Sequence, residues 1–114
     1  MPISKGDIVL VPFPFTNLSS DKVRPALVIS VKNDIDITVA FISSVIPEYT
    51  LKTELVLEKD HSDFLLTGLK KPSVFKTGKI LTLERAKILR RLGKISPDLQ
   101  KEIDIKLKLA FGLE

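Results

Sequence analysis

Few side chains in this sequence can do covalent chemistry, and the missing ones narrow the choice. There is no Cys, so disulfides, thiolate nucleophiles and thiolate zinc sites are all closed to it. The one His, His61, lies in the polar run Lys59-Asp60-His61-Ser62-Asp63. Alone it cannot supply the acid and base pair of a histidine nuclease. The carboxylates are scattered without the spacing of a metal site, so neither a metal nor another cofactor is expected. What remains is guanidinium, ammonium, hydroxyl and isolated carboxylate, a set suited to holding anions.

The basic residues are unevenly placed. Residues 70–94 hold nine of them (Lys70, Lys71, Lys76, Lys79, Arg85, Lys87, Arg90, Arg91 and Lys94) against one acid, Glu84. That stretch carries +8, so the rest of the chain, at +4 overall, sums to −4. The asymmetry favours a polyanion or an acidic protein as partner, although a solvated basic surface would read the same way. Residue type alone leaves individual positions open. An Arg before Pro at a strand entrance, such as Arg24, is commonly an edge charge, and a Ser at a strand end is commonly a turn residue.

These residues must be positioned by a mainly β chain. Its 114 residues fit one domain spanning 1–114, with 44% hydrophobic and 28% charged residues in a globular balance. Short apolar runs at 8–11, 25–30 and 37–42 are bounded by Gly, Pro, Asn and Asp, as strands are. Residues 53–57 alternate polar and apolar. Residues 73–76 and 79–83 read as two more strands around Gly78. Phe13 and Phe15, bracketed by prolines, read as core or as a stacking platform for bases; strand alternation favours core. Residues 84–92 read as a short helix closed by Gly93 in a left-handed cap. Ser96-Pro97-Asp98 opens a second helix with an N-cap, Pro at the first position and an early acid. Leu99, Ile103, Leu107 and Ala110 then recur at helical spacing until Gly112. A small, strongly bent barrel with C-terminal helices is the expected fold. The strands near residues 25–31 and 39–44 are apolar on both faces, so both faces need cover. The terminal helix or a second subunit could supply it, and a homodimer is the expectation. No apolar run approaches the ~20 residues of a membrane span. With Met1 followed by no basic-then-apolar leader, a cytoplasmic protein is expected.

Three segments, in order, resemble the MazF/PemK toxin family. Gly6-Asp7-Ile8-Val9-Leu10-Val11, followed by Pro12-Phe13-Pro14-Phe15-Thr16, resembles its opening strand in the PemK-like variant. Arg24-Pro25-Ala26-Leu27-Val28-Ile29-Ser30 resembles its Arg-Pro-x-Leu-Val strand, and Ala40-Phe41-Ile42-Ser43-Ser44 the Ile-Thr/Ser strand end. Weaker echoes are residues 68–74 and the closing helix of residues 95–113. The resemblance implies an SH3-like barrel of the CcdB/MazF type and a homodimer. It also implies metal-independent, sequence-specific cleavage of single-stranded RNA and neutralisation by an acidic antitoxin. Catalysis would map onto Arg24 and Ser43, with Asp21 the nearby carboxylate able to orient Arg24 or take a proton. Lys22, Ser44, Lys76 and Lys79 would contact RNA. Ser43 replaces the commoner Thr, the first loop is short, and Leu81 stands where many relatives carry Arg.

RNA needs no metal for such cleavage, because its 2′-hydroxyl is a nucleophile already beside the phosphate. The protein has to fix in-line geometry and stabilise the extra negative charge of the phosphorane. Arg24 suits the second task, since a planar guanidinium can hold two phosphate oxygens at once. Ser43 can donate to a non-bridging oxygen. Rival readings share the same barrel: a CcdB-like toxin that binds DNA gyrase without catalysis, and an inactive RNA-binding barrel.

Overall fold

The computed structural model describes residues 2–12 and 23–114. Six strands are formed: β1 (Asp7–Pro12), β2 (Val23–Val31), β3 (Asp36–Ser43), β4 (Glu54–Leu57), β5 (Ser73–Glu84) and β6 (Arg90–Lys94). A one-turn helix α1 (Phe64–Thr67) and a long helix α2 (Pro97–Ala110) complete them. The strands make one antiparallel sheet in the order β4-β5-β3-β2-β1-β6. The register shifts at three places: between Ile8 and Val9, between Val28 and Ser30, and between Ala40 and Phe41. Each irregularity bends and twists its strand, and together they curl the sheet.

Alternation sends the apolar residues of one strand to two separate cores. One face buries Ile8, Leu27, Ile42 and Phe75 under Phe64 of α1 and Leu99 and Ile103 of α2. The other gathers Val9, Val11, Ala26, Val28, Ile37 and Val39 inside the curl, closed by Ile3 and Ile88. Both faces of β2 and β3 are thus covered within one chain, so their two-sided apolar pattern requires no second subunit. Among the described residues no helix is long and apolar enough to cross a membrane.

The α2 start is built as its residues dictate. The Ser96 hydroxyl accepts from the Leu99 N–H at 3.2 Å, and Pro97 occupies the first turn. Ser96 in turn donates its own N–H to the buried carboxylate of Asp63 at 2.9 Å. Leu99 and Ile103, one turn apart, then face the core.

Two expected elements differ. Residues 73–84 form one strand rather than two, because β5 stays paired with β3 across the irregularity: Phe41 faces Lys76 and Ala40 faces Ile80. Gly78 lies in the extra loop of this bulge, a usual role for a strand glycine. The expected helix over 84–92 is a single 3-10 turn, Arg85–Lys87, followed by β6. Pairing with β1 overrides helical propensity there: Leu10 faces Arg90 and Asp7 faces Lys94. The Arg91 Nε lies 3.1 Å from the Asp7 carboxylate, which pins the new edge. Gly93 is therefore a strand residue and not a helix cap.

Candidate active site

Antiparallel pairing collects three chain segments at one end of the sheet. β2 begins there and β3 ends there, since Ala26 faces Phe41. Ser43 faces Val74, so β5 begins there too and brings the preceding turn with it. The three segments wall a cleft of about 280 Å³. Arg24 comes from β2, Ser43, Ser44 and Val45 from the end of β3, and Lys70 and Lys71 from the turn before β5. Pro25, Phe41, Ile42 and Leu69 make the remaining lining largely apolar.

The Ser43 hydroxyl accepts the Val45 N–H at 3.1 Å. That bond uses an oxygen lone pair and leaves the hydroxyl proton available for a ligand. Arg24 is half-buried on the wall next to it. Three described basic residues outside the cleft have carboxylate partners. Lys76 is 4.0 Å from Glu54, Arg91 is 3.1 Å from Asp7, and Lys5 is 3.2 Å from Asp104. Among the described residues, the three cations on the cleft, Arg24, Lys70 and Lys71, have no such carboxylate. Like charges gathered without such partners repel one another and favour bound anions.

The sequence-derived residues fall in different places. Arg24, Ser43 and Ser44 share the cleft. Asp21, Lys22, Phe13 and Phe15 lie outside the described residues. Lys76 faces Phe41 and Glu54 within the sheet, and Lys79 is exposed in the β5 bulge; neither lines the cleft. Lys70 and Lys71 do line it, although the sequence marks them only as part of a basic run. Leu81 faces Val39 and packs against the core inside the curl. His61 accepts the Asp63 N–H through Nδ1 at 2.9 Å, a loop-fixing bond. Among the described residues, no three His, Asp or Glu side chains converge as metal ligands do.

Residues 4–111 match the family described as PemK-like, MazF-like toxin of type II toxin-antitoxin system. The chain belongs to that family. Solved structures with the same fold include the Mycobacterium tuberculosis toxin MazF-mt6, at 21% identity and TM-score 0.72, covering 95% of this chain and 98% of that one. An endoribonuclease in complex with its cognate antitoxin from Mycobacterial species is 17% identical at TM-score 0.73, covering 100% and 98%. MazE-MazF from Deinococcus radiodurans is 20% identical at TM-score 0.67, covering 99% and 97%. No curated protein sequence gives a match. At these identities the structural likeness carries the fold, and the described residues form the PemK/MazF-like barrel. In this toxin the Arg-Pro strand entrance and the hydroxyl at the following strand end are brought together on one cleft.

Proposed function

We propose that this PemK/MazF-like toxin is an endoribonuclease that cuts single-stranded RNA at the Arg24–Ser43 cleft without a metal. One observation carries the reading: a guanidinium and an available hydroxyl proton share a cleft whose cations have no carboxylate partner among the described residues. The 2′-oxygen, giving up its proton to Asp21 or to solvent, attacks the adjacent phosphorus, and the bond from phosphorus to the 5′-oxygen breaks, that oxygen taking a proton from solvent. The products are a 2′,3′-cyclic phosphate and a 5′-hydroxyl. Arg24 and Ser43 bind the non-bridging oxygens, whose charge grows in the transition state, so their interaction strengthens as the reaction proceeds. Asp21 is assigned to receive the 2′-proton or to orient Arg24.

A cognate antitoxin is bound in one named structure, and the charge excess of residues 70–94 favours an acidic antitoxin docked there as the physiological inhibitor. A homodimer in the cytoplasm completes the proposal. Ile105 and Leu109, exposed one turn apart on α2, offer apolar surface to a second copy.

The test is digestion of a long single-stranded RNA in EDTA, with the new ends mapped chemically. Fragments bearing 5′-hydroxyl and cyclic phosphate ends are expected. Arg24→Ala should lower kcat by roughly 10²–10³-fold, the usual effect of removing one preorganised charge stabiliser. An uncut RNA together with trapped gyrase would replace this reading with the CcdB-like one.

A further inference from the structure

We propose that Lys70 and Lys71 form a second anion subsite, which holds the phosphate next to the one being cleaved. The inference rests on the ribonuclease reading of the same cleft. It assigns the substrate as a nucleotide seated on the apolar lining with phosphodiesters on both sides.

Sheet geometry separates the two cationic walls. Arg24 stands on β2, the lysines precede β5, and β3 with Ser43 runs between them. Two strand spacings amount to about 10 Å, so one phosphate does not sit squarely on both walls. Between them lie Phe41 and Ile42, with Pro25 and Leu69 beside. At about 280 Å³ the space lies at the small end of ligand pockets and admits a ring system. A flat base between two anion sites describes an extended RNA strand. An acidic peptide would use the charges and leave the ring-sized lining unexplained.

The turn that presents the lysines is tied down along its length. Gly68 takes the left-handed conformation at φ 73° and closes α1. The Leu69 N–H donates to the Thr67 hydroxyl at 3.1 Å, and that hydroxyl donates to the Phe64 carbonyl at 2.6 Å. Leu69 packs on the core beneath the helices. Pro72 restricts the backbone of Lys71, and the Ser73 hydroxyl donates to the Lys71 carbonyl at 2.9 Å. The backbone that carries the two lysines is thus fixed, so that only their side chains have to be ordered when RNA arrives.

The experiment uses an RNA oligonucleotide spanning a mapped cleavage site, with each neighbouring linkage replaced in turn by a neutral methylphosphonate. The wild-type toxin should lose about tenfold or more in kcat/KM at one neighbouring position, the contribution of a charge-assisted hydrogen bond. Lys70→Gln/Lys71→Gln should lose as much on the unmodified RNA and then be indifferent to that substitution. Lys70→Arg/Lys71→Arg should restore both activity and sensitivity, and melting curves should match wild type because the lysines are exposed. A wild-type profile flat at every neighbouring linkage overturns the assignment while leaving the ribonuclease reading intact. So does a Gln variant that still feels the substitution fully. A Gln variant with wild-type cleavage and weakened binding to a poly-glutamate peptide assigns the lysines to an acidic protein and also overturns it. Absence of any cleavage by wild type overturns both readings.

Discussion

Two strand glycines, Gly78 and Gly93, should respond oppositely to alanine. A methyl built on Gly93 runs into the Leu66 carbonyl oxygen and lies 2.5 Å from the Thr67 carbonyl carbon and 2.6 Å from its oxygen. Carbon contacts are comfortable only at about 3.5–4.0 Å, and the obstacles are backbone atoms, so α1 must recede by about 1 Å. Phe64 and Thr67 anchor α1 in the core, and overpacking of this kind costs about 1–3 kcal/mol. A methyl on Gly78 meets nothing within 4 Å, and its φ lies outside the left-handed region. Alanine there removes unfolded-state freedom and stabilises by about 0.5 kcal/mol. For 114 residues each kcal/mol corresponds to about 4 °C. Thermal and urea melts should therefore separate Gly93→Ala from Gly78→Ala by about 6–14 °C, with similar m-values. Because α1 leads directly into the Lys70–Lys71 turn, Gly93→Ala should also weaken RNA cleavage below its melting range. Superimposable melts for the two variants would refute the close α1–β6 packing and the strand assignment of Gly93.

Ser43→Ala should reduce kcat by about 10²-fold with little change in melting temperature, whereas Ser43→Thr keeps the hydroxyl and should retain activity; single-turnover cleavage measures both. Ser96→Ala removes the α2 cap and should cost about 1 kcal/mol in a urea melt, with kcat unaffected because Ser96 does not line the cleft and its backbone N–H bond to Asp63 is kept. Cleavage should also weaken with salt: for single strands, log kcat/KM should fall against log salt by about 0.7 per phosphate contacted, and a flat salt profile would contradict phosphate binding by the cleft cations.

Elements that announce themselves by local chemistry were legible before the structure. The Asn33 turn is one: its side-chain oxygen accepts the Ile35 and Asp36 N–H groups at 2.7 and 2.8 Å, the Asx geometry that Asn favours. The Ser96-Pro97-Asp98 helix start is another. β6 was not legible, because Arg90-Arg91-Leu92-Gly93-Lys94 has no alternation of its own and exists as a strand only against β1. The long β5 was hidden for a related reason. Gly78 and Lys79 look like a break, and only the continued pairing to β3 on both sides shows a bulge.

The candidate site was half legible, and the missing half has one physical origin. Arg24 and Ser43 were readable by family resemblance, since each sits beside a recognisable strand. Lys70 and Lys71 look no different in sequence from Lys76 or Arg91. What separates them is the partner each one has after folding. Glu54 reaches Lys76 because β4 pairs with β5, and Asp7 reaches Arg91 because β1 pairs with β6. The turn before β5 projects beyond the sheet pairings that supply those carboxylates, so its lysines stay uncompensated among the described residues. An excess of positive charge is visible in the sequence as a sum, but its location depends on which cations the fold has already neutralised. Counter-charge sets Lys76 and Arg91 apart from Lys70 and Lys71, whereas Lys79, which also has no carboxylate partner among the described residues, differs from them only by lying in the β5 bulge off the cleft.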